Sequence, residues 1–275
     1  MIIYRTIVGS QMHGLTTPTS DEDIRYITMP SLIEIISPFK NDEIKVRNGK
    51  GEDEESWDIA HFCKHLCSGN PTVYEVIKSH LYDRSFAHAE TIRSLMPYAF
   101  DGRKILFAHI GYCEAQLKRY LRKAQHDLSA YQWNDGDERT CDETQILLGI
   151  PKWEEKFGQL QVDGVWEENH IRRVPKSIVA GYRVLAQAKQ LLETGDFKPV
   201  IKDYSPELHD KLMGIKTMDS NSITWGFVVK HLDGLENGIK ELKSFYETLP
   251  DEIKNKKPDI GAIESTLCEI YGIPL

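Results

Sequence analysis

The stretch of this chain best equipped for chemistry is Gly9-Ser10-Gln11-Met12-His13-Gly14-Leu15-Thr16-Thr17-Pro18-Thr19-Ser20-Asp21-Glu22-Asp23-Ile24-Arg25. Gly9 and Ser10 follow an apolar run and predict a tight turn, where backbone can approach a ligand closely and offer amides and a hydroxyl to phosphate oxygens. Asp21 and Asp23 stand two apart on an incipient strand, so they project from one face of a sheet. Two carboxylates held that close repel each other unless a cation compensates them. Mg²⁺ or Mn²⁺, which take hard oxygen ligands, supply that charge. A pair of such ions can clamp a triphosphate, polarise its phosphorus and help deprotonate an attacking hydroxyl. The chemistry in view is phosphoryl or nucleotidyl transfer from an NTP. The plainer alternative is a solvated turn whose acids cap a helix, and the apolar runs on either side, with Gly9-Ser10 ahead, weigh against it.

These residues need elements to hold them. Ile2-Ile3-Tyr4 and Thr6-Ile7-Val8 predict a strand that stops at Gly9, and Ile24 to Met29 predict a second, closed by Pro30. The polar run from Asn41 to Glu55, with Gly49 and Gly51, predicts an exposed hairpin leading into a third strand. A helix from about Ser56, with Ser56 as its N-cap, places Ile59, Phe62, Cys63 and Leu66 on one face and stops at Gly69-Asn70-Pro71. Further helices are expected over 105–127, over 176–194 with a stop at Thr194-Gly195, from Ile223 to Tyr246, and from Pro258-Asp259 to Gly272-Ile273-Pro274. Asp127 to Val174, which holds Trp133, Trp153 and Trp166, has no clear period and is expected to be loop-rich. The fold class is therefore α+β, a mixed sheet flanked by helices over residues 1–104 and a mainly helical region over 105–275.

Composition bounds the partners. The chain has 275 residues, 40% apolar and 28% charged, enough for a sizeable core and about two domains at ~150 residues each. Its 42 acids against 34 bases, a net charge of −8, argue against a surface coated in positive charge for indiscriminate nucleic-acid binding. No run approaches the ~18 apolar residues of a membrane helix, and the start Met1-Ile2-Ile3-Tyr4-Arg5 lacks the layout of a secretion signal. Five scattered cysteines make a poor disulfide framework. A cytoplasmic protein without a membrane partner is expected.

Gly9-Ser10, the glycine four positions on at Gly14, and Ser20-Asp21-x-Asp23 together resemble the signature of the DNA polymerase β superfamily of nucleotidyltransferases. More narrowly the chain resembles the branch associated with RNA-repair gene clusters, in which Asp-x-Asp is followed by Ile/Tyr-Arg, as in Ile24-Arg25, and a helix ends in Asn-Pro-x-x-x-Glu, as in Asn70-Pro71-Thr72-Val73-Tyr74-Glu75. The resemblance extends thinly over most of the length: Phe100 to Gln116 with Gly111-Tyr112, Lys176 and Arg183, and Leu249-Pro250-Asp251. It implies a nucleotidyltransferase fold and a two-metal transfer of a nucleoside monophosphate from an NTP to an acceptor hydroxyl, RNA fitting best and a protein or small molecule also acceptable. Gly9 and Ser10 would contact the triphosphate, Asp21 and Asp23 would hold Mg²⁺ or Mn²⁺, and Arg25, Tyr112, Gln116, Lys176 and Arg183 would serve the nucleotide. A third carboxylate is expected from a neighbouring strand, as base or metal ligand. Asp53 and Asp58 are the candidates; counting back from Asn70 favours Asp53, while Asp58 is also explained as an acid in a helix's first turn. Met12-His13 and Tyr26 depart from the family's usual residues, as does the start of the chain eight residues before Gly9, where many relatives carry a further helix. A binding protein that keeps the fold but has lost its chemistry, as a sensor or antitoxin-like partner, is the other class.

Several residues carry two readings. His13 could face phosphate or acceptor, or stand exposed in its loop. His61, Cys63, His65 and Cys67 suggest zinc, yet Cys63 and Cys67 share a helical face with Ile59 and Leu66 and fit a core better. Arg103, Lys104, Lys118, Arg119, Arg122 and Lys123 make either a solvated helix face or a groove for triphosphate or RNA. Tyr112 and Gln116, one turn apart, could line a nucleotide pocket or simply pack. The three tryptophans are either base-stacking platforms or anchors.

Overall fold

A computed structural model describes residues 1–31, 45–49, 52–117, 165–218 and 225–274. β1 (Ile2–Val8) is followed by a single helical turn α1 (Gly9–Met12), and β2 (Glu22–Thr28) by β3 (Lys45–Gly49) and β4 (Glu52–Asp58). The four strands form one mixed sheet in the order β1-β2-β4-β3. β1 runs antiparallel to β2, β2 parallel to β4, and β3 antiparallel to β4. Of the run from Asn41 to Glu55 expected as an exposed hairpin, residues 45–49 and 52–55 are strands of this sheet. α2 (Ile59–Cys67), α3 (Pro71–Lys78) and α4 (Ala89–Arg93) follow, then a 3₁₀ turn at Met96–Ala99 and α5 (Gly102–Gln116). The remainder is helical: α6 (Val165–Thr194), a short 3₁₀ turn (Ile201–Asp203), α7 (Pro206–Lys216), α8 (Trp225–Thr248), α9 (Asp251–Asn255) and α10 (Ile260–Tyr271). No helix among the described residues is long and apolar enough to cross a membrane.

Local chemistry explains most boundaries. Val8 hands over to Gly9 at a positive φ of 68°. α2 begins later than Ser56: that residue stays in β4, paired with Tyr26 and Lys45. The N-cap is Asp58, whose Oδ1 accepts a 2.8 Å hydrogen bond from the His61 amide. Ladder pairing holds Ser56 extended between Tyr26 and Lys45, and the cap falls to Asp58, the last residue of β4, which pairs with Thr28 and keeps the extended backbone an N-cap requires. α2 ends at Cys67, just ahead of the expected stop and with Gly69 at a φ of 77°, and Asn70-Pro71 also begins the next helix: Asn70 Oδ1 accepts from the Thr72 amide and Pro71 occupies the first turn of α3. α6 starts at Val165, so the expected loop-rich stretch is helical from there on, and Pro175 is taken up inside it. Lys118, Arg119, Arg122, Lys123, Trp133, Cys141 and Trp153 lie outside the described residues. α10 is capped by Asp259 at its start and by a left-handed Gly272 at its end, as its sequence predicts.

The cap assigns Asp58 a structural task. Asp58→Ala should lower stability by about 1 kcal/mol, read as a shift of the chemical denaturation midpoint, with any NTP turnover unchanged.

The contacts divide the chain into two compact units. The first comprises residues 1–109, 187–209 and 246–275, the second 110–186 and 210–245. In the first, α2 packs on β2 and β4, while α3 and α4 pack on β1. Its core includes Ile3, Tyr4, Ile27, Phe62, Leu66, Tyr74, Ile77 and Ile92, all essentially inaccessible. The second is held by apolar side chains of its helices, among them Ile178, Val184, Leu212, Val228 and Leu235.

Candidate functional site

One end of the sheet gathers the residues that the sequence singles out. In the β1–β2 register Val8 stands opposite Asp23, and in the parallel β2–β4 register Asp23 stands opposite Asp53. On β3, Asn48 is the partner of Asp53. A single row, 8–23–53–48, therefore crosses all four strands, with Gly9 one residue beyond its first member. Gly9 touches the row directly: a Cβ at this glycine would lie 2.1 Å from Asp23 Oδ2. Its positive φ and this contact leave room for no side chain, so the Asp23 carboxylate lies over bare backbone where the chain turns. Asp21 is exposed and precedes the first residue of β2. It leaves a tight turn in which the Ser20 hydroxyl is 2.9 Å from the Thr17 amide and 3.0 Å from the Thr17 hydroxyl. Asp58 lies at the far end of β4 from Asp53, engaged in its cap.

Arg25 is tied to the neighbouring strand. Its Nε is 3.1 Å from Glu55 Oε2, its register partner on β4, and its Nη1 donates to the Ile24 carbonyl. Arg5 and Glu22 make a looser surface pair at 3.6 Å. Among the described residues no three His, Cys, Asp or Glu side chains come together as a metal-binding group, and the Asp53 side chain is not among those described.

The turn after β1 is braced from behind by residues that local pattern does not reveal. His13, expected either to face phosphate or acceptor or to stand in solvent, is instead 2% exposed. Its Nδ1 is 2.9 Å from the Pro199 carbonyl, which can only accept, so this nitrogen carries a proton. Its Nε2 is 3.3 Å from Glu75 Oε1, itself buried. The two buried polar groups thus face each other as a pair closed off from solvent. Two backbone links and one side-chain link reinforce it: Leu15 N donates to Ser10 O at 2.8 Å, Ile201 N to His13 O at 3.3 Å, and the His209 side chain, through Nε2, to Gly14 O at 3.2 Å. Residues 199–209 are thus the back wall of the Gly9–Leu15 turn. Glu75 had a sequence signal of its own, a lone acid inside the apolar helix Val73-Tyr74-Glu75-Val76-Ile77, where a carboxylate needs a partner.

Nearby groups are kept neutral. His109 is fully buried, its Nδ1 2.8 Å from the Ile105 carbonyl; burial pushes its imidazole down to about 4, opposed by that hydrogen bond and by Glu75. Burial likewise pushes the Cys63 thiol up to about 12. His61 and His65 stack with ring centroids 4.5 Å apart and planes within 15°. Cys63 is a core thiol beside two stacked rings.

The other expected nucleotide residues fall in the second unit. Tyr112 and Gln116 are half-buried on α5, and Lys176 (exposed) and Arg183 (half-buried) lie on α6. Close to Arg183, the Tyr182 hydroxyl is 3.3 Å from His231 Nδ1, and Lys211 Nζ sits 3.7 Å from the Tyr182 ring centroid. Burial, with Lys211 and Lys230 adding to it, holds His231 down to about 4.

Residues 1–210 match the RNA repair pathway DNA polymerase beta family, and the chain belongs to that family. Membership suggests nucleotidyltransferase-like activity and an association with RNA repair. The chain is also 25% identical over 132 residues to the uncharacterized protein YcgL of Bacillus subtilis (strain 168), a match covering 47% of this chain and 51% of that protein. The similarity thus spans about half the length of this relative. The match to the family contains the Gly9–Arg25 segment, Glu75 and the 199–209 wall.

Proposed function

We propose that the chain is a metal-dependent nucleotidyltransferase that moves a nucleoside monophosphate from an NTP to a hydroxyl on RNA. The observation that carries this reading is the register that sets Asp23 opposite Asp53 with Asp23 Oδ2 against Gly9. Asp21, Asp23 and Asp53 would supply the hard carboxylate oxygens that Mg²⁺ or Mn²⁺ takes. Ions held there would supply charge neutralisation for the triphosphate and a lowered pKa for the acceptor hydroxyl. The chain's own residues then position and exclude. Gly9 brings backbone to the phosphates, and Ser10 offers a hydroxyl. Arg25, paired with Glu55, holds β2 to β4 and so keeps the aspartate row in register. A row carboxylate takes the acceptor proton while the new oxygen–phosphorus bond forms and the bond from the α-phosphorus to pyrophosphate breaks. Catalysis of this kind is mostly placement and charge neutralisation. The parts given to Tyr112, Gln116, Lys176 and Arg183 in nucleotide binding rest on the family pattern.

The test is incubation with each of the four α-labelled NTPs, Mg²⁺ or Mn²⁺, and a mixture of RNA, protein and small-molecule acceptors. Label is expected on RNA, only with metal present. NTP binding without release of pyrophosphate from any acceptor mixture would reject transfer in favour of a nucleotide-binding sensor.

A further inference from the structure

We propose that a basic cleft in the first unit, apart from the aspartate row, docks the backbone of single-stranded RNA. The inference rests on the RNA acceptor of the preceding section and adds where that acceptor is held. The cleft encloses about 650 Å³ between the end of α2 at Ser68, the first half of α5 and Lys257. None of its lining residues belongs to the row or to the His13 brace.

Its charge runs against that of the chain. Arg103, Lys104 and Lys257 line it with one carboxylate, Asp101, whereas the whole sequence carries a net −8. Asp101 is 1% exposed and turned to internal work. Its Oδ1 accepts from the Lys104 amide at 3.0 Å, and its Oδ2 lies 3.5 Å from Lys257 Nζ and 4.0 Å from Lys104 Nζ. The acid thus pins two lysines at the rim while its own oxygens stay out of reach, and their side chains remain 52% (Lys104) and 67% (Lys257) exposed. An incoming polyanion meets ammonium and guanidinium groups, with the carboxylate behind them.

The fold has brought these cations together from distant sequence. A Cβ at Gly102 would lie 2.7 Å from the Ile253 carbonyl, so only a glycine at the start of α5 allows the 250s segment to come this close. The Asp259 amide donates to the Tyr98 carbonyl at 2.7 Å, fixing the far side of the same segment. Between these two anchors run Lys256, whose Nζ is 5.2 Å from the Phe100 ring centroid, and Lys257.

Phe107 decides what kind of polyanion fits. It is 55% exposed in the cleft lining, one helical turn from Arg103, whose guanidinium carbon is 5.8 Å from the ring centroid. A solvated helix face gains nothing from a bare phenyl ring in an ionic cleft. Basic groups that follow a phosphate backbone beside an aromatic face on which a base can stack are the arrangement by which unpaired strands are bound. The association with RNA repair supplies the kind of strand.

The test uses fluorescence anisotropy of a labelled 12-nucleotide RNA over a series of salt concentrations, with the full chain. Arg103→Glu with Lys257→Glu should weaken binding at least tenfold and flatten the log–log salt slope by about 1.4, at ~0.7 per lost phosphate contact on a single strand. Phe107→Ala should weaken binding about tenfold with the slope unchanged, as loss of stacking without loss of charge requires. If the double reversal does not fold, Arg103→Gln and Phe107→Ala singly carry the same test. Nucleotide transfer to a small hydroxyl acceptor is measured in parallel and should be the same in all variants. Equal RNA affinity in wild type and variants overturns the docking site even where transfer persists. Weakened RNA binding in the variants, with no transfer by wild type to any acceptor, sinks the catalytic reading and leaves the docking site standing. A DNA strand of the same sequence that binds equally well overturns the restriction to RNA.

Discussion

Replacing Asp21 and Asp23 together by alanine should cut metal-dependent NTP turnover by about a thousandfold or more, the several kcal/mol that metal-borne charge stabilisation supplies to such reactions. The same variant should melt at or slightly above the wild-type temperature. Asp21 is exposed and Asp23 half-buried at the sheet end, so neither carries the core. Two like charges are removed from neighbouring positions, which relieves repulsion in the metal-free protein. The separation of the two readouts identifies the function: a loss of activity with an unchanged melt means chemistry, and a parallel loss of both means structure. Pyrophosphate release and a thermal melt on the same preparation measure them. Undiminished turnover would remove the aspartates from the reaction and the proposed function with them.

The second large effect belongs to Glu75. Glu75→Ala leaves His13 Nε2 facing an empty buried site, and breaking a buried pair on one side costs about 3–5 kcal/mol. For a chain of this size that is a fall of roughly 10 °C in melting temperature. Glu75→Gln should recover most of the loss, since a glutamine amide can donate to Nε2 while Nδ1 keeps its bond to Pro199. The functional signature is a raised KM for NTP in Glu75→Ala, reversed in Glu75→Gln, because the pair braces the turn that carries Gly9 and Ser10. An alanine variant that melts like wild type would mean that His13 is held by its backbone links alone.

Much of the first unit could be read from local signals. β1 ends where Gly9 takes a positive φ, and α10 lies between Asp259 and Gly272, each end marked by a residue whose chemistry is confined to its neighbours. Signals failed where pairing or distant contacts overrode them. Ser56 is as good a cap as Asp58, but pairing with Tyr26 and Lys45 keeps it inside β4, whereas Asp58, opposite Thr28, is the strand's last residue. α7 escaped notice because it buries only Leu212 and Ile215, too few for a visible period. At the candidate site, Gly9, Asp21 and Asp23 stood out through composition and spacing and Asp53 through the family's spacing from Asn70, while the strand register that sets Asp53 opposite Asp23 is not contained in that spacing. His13 was hardest. Its partner Pro199 is 186 positions away, and nothing near residue 13 tells that a wall will cover it.

The first unit is assembled from three separated stretches, and α10 packs on the 3₁₀ turn at Met96–Ala99. A growing polypeptide emerges in order, at ~5–20 residues per second. Residues 1–109 therefore wait on the order of ten seconds before the stretch beginning at 246 is synthesised. Throughout that delay the surface around Met96 stands bare at the ribosome exit, a natural landing place for a chaperone and an opening for a protease.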